Sequence, residues 1–275
     1  MTTGQPSSLF APVAVVSDGS GLVEPGKPEL DSVLREYARL IQEIGGPPAR
    51  DFLMDTRDTN ELVVALRALP EEVRAVYLVR ADAARGSTVQ RYLGKEFALL
   101  SVVTDQDVAA IVLAAKLLTT LRRRGRETAA SQVVVAEGST LPNLGPLLMA
   151  VRIFDFSFWK EADATVFPLA RVAQGTDVVI DLRTEQHDEL RASGETGPAI
   201  LTLNDIAGPI ALLPGLLNVI VDAPLATVDI DIYASFAQTL STMTPPDQDF
   251  PGIDRALADS VGWAARQALL HPRSK

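Results

Sequence analysis

Three clusters of residues in the 275-residue chain carry side chains able to do chemistry. Asp105 and Asp107 share the turn Thr104-Asp105-Gln106-Asp107-Val108-Ala109-Ala110, where carboxylates would bind a cation or cap the helix that follows. Capping is the simpler reading, because acids at a helix start satisfy free N–H groups and complement the helix dipole. The turn Ala136-Glu137-Gly138-Ser139-Thr140-Leu141-Pro142 offers Gly138 and Ser139 to a phosphate. A dinucleotide fingerprint needs GxGxxG there, so that the backbone can approach a pyrophosphate at a helix N-terminus. Only Gly138 is present, with Glu137 adding a like charge and Pro142 stiffening the turn. Asp155, read as the end of a second strand, has the position of a ribose-binding acid. His187 falls in the polar run Arg183 to Glu195, and two scattered histidines build neither a Ser-His-Asp triad nor a metal-histidine site.

The elements that must hold these residues follow from apolar periodicity. From Leu99 to Gly138 the sequence reads as a buried strand, an acidic turn, a helix from Gln106 to Arg124 and a second strand through Val133-Val134-Val135 into the glycine turn. That order is the entrance to a dinucleotide-binding-type βαβ unit. Earlier, Val13 to Val16 predicts a strand, and Leu30, Val33, Leu34, Tyr37, Ala38, Ile41 and Ile44 predict an amphipathic helix. A strand at Phe52, a helix capped by Asp58 or Thr59, and a strand over Arg74 to Val79 come next. After the glycine turn, Leu144, Leu147, Leu148 and Val151 predict a helix, and Ala199 to Leu203 a strand. Two closing helices, near Ile230 to Leu240 and Ile253 to Leu270, flank Pro245-Pro246. The aromatic segment Ile153 to Trp159 is a satellite core or a contact patch.

Composition excludes whole classes of partner. With 47% apolar residues the chain can bury one large core or two modest ones. A net charge of −10 is the wrong sign for a nucleic-acid footprint. The single basic run, Arg122-Arg123-Arg124-Gly125-Arg126, falls at a predicted helix end, where cations complement the dipole, so a solvated terminus is preferred to an anion site. Cysteine is absent, which removes disulfides, thiolate metal sites and cysteine nucleophiles. The start, MTTGQPSSLF, lacks a basic segment followed by an apolar core, so residues 1–12 are expected to be a disordered lead of a cytoplasmic protein. The apolar run from Pro209 to Val221 is interrupted by Pro214 and stops short of the roughly 20 residues a membrane span needs, so no membrane association is expected.

The order of the motifs resembles malic enzymes. Their HDDQHGTA-like turn, AIV helix start and VVVSGAGAAG-like strand are similar to Thr104–Ala110, Ala110-Ile111-Val112 and Val133–Pro142. Val13–Ser20 is similar to their AVVTDGS, Phe52–Thr59 to CLDTKDT, Ala83–Gly86 to APRCF, and Asp205–Gly215 to NQINNVLAFPG. The resemblance implies an N-terminal α/β domain over 13–103, a Rossmann-like NAD(P)-binding-type parallel-sheet domain over 104–225, and C-terminal helices over 226–275 packed back on it. It implies an obligate homodimer that buries the apolar face of the Leu30 to Ile44 helix.

The same resemblance implies lost chemistry. The family's metal-binding acids, in a NLEDI-like sequence, fall on Tyr77-Leu78-Val79-Arg80-Ala81, so Val79 and a fixed positive charge stand where a magnesium or manganese ion needs carboxylates. Asp105 matches a third metal acid, but its neighbour is Thr104. The general-base lysine of an EGKALLFK-like motif falls at or near Tyr37, the tyrosine of a YTPGVA-like motif has no counterpart, and both substrate-facing asparagines are replaced around Asp205 and Gly208. Arg85 survives near the family's cleft, where a guanidinium grips a carboxylate with two parallel hydrogen bonds. Arg85 and Asp105 are thus the candidate substrate contacts, Gly138, Ser139 and Asp155 the candidate cofactor contacts, and no metal ligand set is expected. The reading favoured is a pseudoenzyme without bound cofactor, a ligand-binding or protein-interaction module. The alternative is an active oxidoreductase of altered substrate using NAD or NADP.

Overall fold

A computed structural model describes residues 11–21, 27–56, 58–96, 100–183, 197–203, 209–223, 228–248, 250–251 and 255–270. The first half runs β1 (Val13–Ser17), α1 (Lys27–Glu43), β2 (Ala49–Leu53), α2 (Thr59–Arg67), β3 (Ala75–Leu78), α3 (Ala83–Glu96), β4 (Ser101–Thr104) and α4 (Asp105–Arg123). The second runs β5 (Gln132–Ala136), α5 (Leu144–Ala150), β6 (Asp155–Trp159), α6 (Leu169–Val172), β7 (Val178–Asp181), β8 (Ala199–Thr202), α7 (Pro209–Asp222), α8 (Ile230–Met243) and α9 (Arg255–Leu270). The expected α/β class, with two parallel sheets and helices at the C-terminal end, is what forms.

The chain divides into two compact units, residues 1–105 with 210–227, and residues 106–209 with 228–275. In the first, the strands order as β2-β1-β3-β4, all parallel, and β1 and β3 are buried along their whole length. Continuous burial is the mark of a parallel strand covered on both faces. Ala14, Val16, Val76 and Leu78 pack with Leu62, Val63 and Leu66 of α2 and with Val89 and Leu93 of α3. Tyr77 meets Tyr37 of α1 edge-to-face, with ring centroids 5.6 Å apart. Helix α2 begins as its sequence dictates, with Asp58 accepting the N–H groups of Asn60 and Glu61. Helix α7 belongs to this unit, where Asn218 Nδ2 donates to the Gly45 carbonyl at 3.2 Å.

Leu30, Leu34, Ala38 and Ile41 of the α1 apolar face are buried within the single chain. Val33, Tyr37 and Leu40 line a shallow hollow of about 280 Å³ instead.

The second unit repeats the pattern with strand order β6-β5-β7-β8, again all parallel. Val134, Ala136 and Val179 pack on Trp159, Leu169 and Ala173. Residues 169–172 form α6, and β7 follows over Val178–Asp181. Helix α4 ends where Gly125 turns left-handed at φ 64°, its N–H bonding to Arg122 and that of Arg126 to Leu121. Glycine suits that closure because it carries no Cβ to clash. Arg123 and Arg124 are tied down by the carbonyls of Pro245, Gln248, Asp177 and Gly197, so the basic run is not a simply solvated terminus. Among the described residues, no helix is long and apolar enough to cross a membrane.

Phe236 of α8 is fully buried, so F236A should destabilise the second unit by about 3–5 kcal/mol. Urea unfolding followed by circular dichroism measures it, and a loss under about 0.5 kcal/mol, the surface range, would show that the ring is not in the core.

Candidate functional site

In an open parallel sheet a ligand crevice forms beyond the carboxyl ends of the strands, where the chain reverses its direction of winding. In the first unit the reversal lies between β1 and β3. The residues there are bonded to one another. Asp18 is fully buried, and its Oδ2 pairs with Arg85 Nη1 at 2.5 Å, while its Oδ1 accepts the N–H and hydroxyl of Ser20 at 3.0 and 2.7 Å. Ser20 Oγ accepts the Asp82 N–H, and Asp82 Oδ1 accepts the Arg85 N–H, so the loop after β1 is laced to the start of α3.

Arg80, just past β3, takes a left-handed conformation at φ 53°. Its N–H donates to Asp105 Oδ2 at 2.8 Å, and its carbonyl accepts the Gly21 N–H at 2.9 Å. Gly21 must be glycine, since a Cβ would lie 2.8 Å from the Arg80 oxygen. The Tyr37 phenol is pushed above its ordinary pKa, first by burial and then by the charge of Asp105, with Arg80 opposing. At neutral pH it is a proton donor and not a base.

The second unit reverses between β5 and β7. Asp181 ends β7, and its carboxylate receives Arg183 Nε and Nη2 at 2.9 and 2.8 Å in a two-pronged pair, with side chains 4% and 5% exposed respectively. The guanidinium lies 5.5 Å from the Trp159 ring centroid. Sequence placed Arg183 in an exposed polar run; the ring and the carboxylate bury it. Glu137 is left-handed at φ 56°, and its Oε1 accepts the Glu161 N–H at 2.6 Å. A Cβ at Gly138 would meet Phe158 Cε1 at 2.5 Å, and one at Gly145 would meet Phe158 Cζ at 3.0 Å. The Phe158 ring thus occupies the space over the glycine turn. The first α5 amide, that of Leu144, is spent on the Leu141 carbonyl at 2.9 Å.

A third group lies in the same unit. Asp107 is 2% exposed and accepts Asn143 Nδ2 at 2.6 Å. The buried Tyr233 phenol donates to the same carboxylate, and burial followed by the Asp107 charge drives its pKa well above the ordinary tyrosine value. Asp107 is therefore a core hydrogen-bond acceptor joining α4, α8 and the start of α5. Asp107 thus bonds beyond its own helix, in addition to its place in the first turn of α4, and Asp105 there accepts the Arg80 N–H.

Solved malic enzymes share this fold. That of Pyrococcus horikoshii superposes with a TM-score of 0.78 over 96% of this chain and 78% of its own, at 15% identity. The NAD-dependent malic enzyme of Thermotoga maritima gives 0.77 over 93% and 84%, at 16% identity. The fold is that of malic enzymes. A curated relative, the NAD-dependent malic enzyme of Geobacillus stearothermophilus, is 32% identical over 113 residues, which is 40% of this chain and 24% of that protein. The match thus spans about a quarter of that relative's length, and it bears out the resemblance read from the motifs. No protein-family model matches.

Measured against the malic-enzyme resemblance, the candidate residues separate. Arg85 and Asp105 do come to one sheet edge, Arg85 holding Asp18 and Asp105 holding the Arg80 backbone. Gly138 and Ser139 follow β5 in a single 3-10 turn, with Gly138 against Phe158. Asp155 opens β6 instead of ending a strand, and bonds Gln132 Nε2 at 2.8 Å, so it stands at the opposite sheet edge from the glycine turn and cannot meet a ribose there. His187, Asp205 and Gly208 lie outside the described residues. Sequence reasoning missed Asp18, Asp181 with Arg183, and Tyr233. The one available signal was Asp181 and Arg183 flanking a single residue just after an apolar strand.

Among the described residues no group of three or more His, Cys, Asp or Glu could hold a metal ion, and a Cβ at Gly138 would meet the half-exposed Phe158 ring.

Removing Arg85 leaves the Asp18 carboxylate buried and unpaired, so R85A should cost about 3–5 kcal/mol, with much of that recovered in D18N/R85A. A double-mutant cycle by denaturant unfolding measures it, and additive losses would show the pair uncoupled. Tyr233 has a raised folded-state pKa, so the stability it contributes is complete below about pH 10, the unfolded value, and declines as pH rises beyond it. Melting temperature should therefore fall more steeply above pH 10 in the wild type than in Y233F.

Proposed function

We propose that the chain is a malic-enzyme-like pseudoenzyme, a ligand-binding or protein-interaction module without metal-dependent malate decarboxylation. The observation that carries this reading is the self-satisfied edge of the first sheet. There Arg80 stands where the resemblance calls for a metal acid, and its N–H holds the oxygen of Asp105, the acid that remains. A divalent cation would have to displace that bond beside a fixed guanidinium. Tyr37, at or near the place of the general base, is held protonated by burial and by Asp105. In the second unit Phe158 over Gly138 supports the absence of a bound dinucleotide.

A small carboxylate at Arg85 would share the guanidinium with Asp18. We further propose a cytoplasmic homodimer, joined through the Val33, Tyr37 and Leu40 stripe of α1, that associates with neither nucleic acid nor membrane. The second reading, an active oxidoreductase of altered substrate using NAD or NADP, draws support from the 32% identity to an NAD-dependent malic enzyme.

Thermal unfolding separates the two readings. Neither NAD, NADP nor magnesium at millimolar concentration should raise the melting temperature, whereas a ligand at about 100 times its dissociation constant adds about 2.7 kcal/mol. An NAD-dependent rise that is abolished in G138V would establish the oxidoreductase instead.

A further inference from the structure

The second unit contains an open cavity of about 660 Å³ at the end of α4, remote from the crevice described above. It is lined by Arg122 and Arg126 beside that helix end, by Val151 and Arg152 after α5, and by Gln238 and Thr242 of α8. These positions fix its place in the fold. Arg126 precedes β5 and Arg152 precedes β6, so the cavity opens at the amino ends of the strands, whereas the Gly138 turn follows the carboxyl end of β5.

Three guanidiniums thus border one cavity in a chain whose net charge is −10, with Glu127 as the carboxylate among the lining residues. Their donors are only partly used. Arg122 spends Nη2 on the Thr244 carbonyl at 3.1 Å, and Arg126 spends Nε on Asp177 Oδ1 at 2.8 Å. The Arg152 guanidinium has no hydrogen bond or ion pair among the described residues. The residue sits left-handed at φ 70°, two residues past the end of α5, with its backbone N–H on the Met149 carbonyl. Glycine or asparagine is the usual occupant of that position, and a residue with a Cβ is strained there. Neither packing nor pairing in the unit explains an arginine at that place. Arg123 and Arg124, each bonded through one nitrogen to two backbone carbonyls, do not line the cavity.

We propose that this cavity is an anion site for a small phosphate-bearing molecule. Guanidinium forks match phosphate oxygens two at a time, and arginine carries its charge at every physiological pH. Arginines from two helix ends surround a multiply charged group better than a single carboxylate, whose geometry one fork already satisfies. The apolar floor of Leu118 and Val151 leaves room for the body of such a molecule, within the 300–1,000 Å³ typical of ligand pockets. The site is independent of the sheet edges, so the proposal stands whether or not the chain turns over malate.

The test is calorimetric titration of the full chain with inorganic pyrophosphate at constant ionic strength, alongside malonate. Pyrophosphate should bind saturably at one site and at least tenfold more tightly than malonate. Arg152→Gly removes the guanidinium while relaxing the backbone. It should weaken pyrophosphate at least tenfold, yet melt at or above the wild-type temperature. Arg126→Ala should weaken it in the same direction, and Arg35→Ala, an exposed arginine of the other unit, should leave it unchanged. Non-saturable binding, a preference for malonate, or equal losses in Arg152→Gly and Arg35→Ala would each overturn the assignment.

Discussion

One residue in an unfavourable backbone conformation holds the end of the first sheet together. Arg80 is left-handed at φ 53°, a state that costs a non-glycine residue about 1–2 kcal/mol. The turn is repaid by two hydrogen bonds in opposite directions. Its N–H reaches Asp105 at the start of α4, and its carbonyl reaches Gly21 in the loop after β1. The loop after β1, the end of β3 and the first residue of α4 therefore share a single peptide hub. Because Gly21 has no room for a Cβ, and because Asp105 is committed to the hub, three separated positions become mutually dependent. The buried Asp18 and Arg85 pair closes the same edge from the side of α3.

The second sheet reaches the same condition by different means. Arg183 and Asp181 neutralise each other in a two-pronged pair under Trp159, and Glu137 turns its carboxylate onto the Glu161 backbone. The aromatic ring of Phe158 then covers the one glycine of the turn. A ligand crevice in an open parallel sheet needs unsatisfied donors and empty space at the point where the winding reverses. Here Asp18, Arg85 and Asp105 at the first reversal and Asp181, Arg183 and Glu137 at the second have partners within their own unit, and the Phe158 ring lies against Gly138. A fold shared with malic enzymes does not by itself carry their chemistry, since chemistry depends on a few side chains and the fold on the apolar pattern.

Much of the fold was legible before any coordinates. The buried runs of β1, β5 and β7, the Asp58 cap of α2, and the apolar spacing of α1 and α4 are local signals, set by burial and by backbone hydrogen bonding within a few residues. The errors came where a local signal was ambiguous. Asp155 was taken as a strand end, because nothing in Ile153–Trp159 reveals which end of a five-residue strand an acid occupies.

By itself the sequence determined the α/β class, the order of strands and helices, and the absence of cysteine chemistry. Each of these depends on residue type or on spacing along the chain. Only the tertiary structure decided what the remaining polar residues do. Asp18 and Arg85 are separated by most of the first unit, and Asp107 meets Asn143 and Tyr233 from distant helices. Whether a charge is free to bind a ligand is decided by what else lies within hydrogen-bond reach, and that is a property of packing rather than of order along the chain.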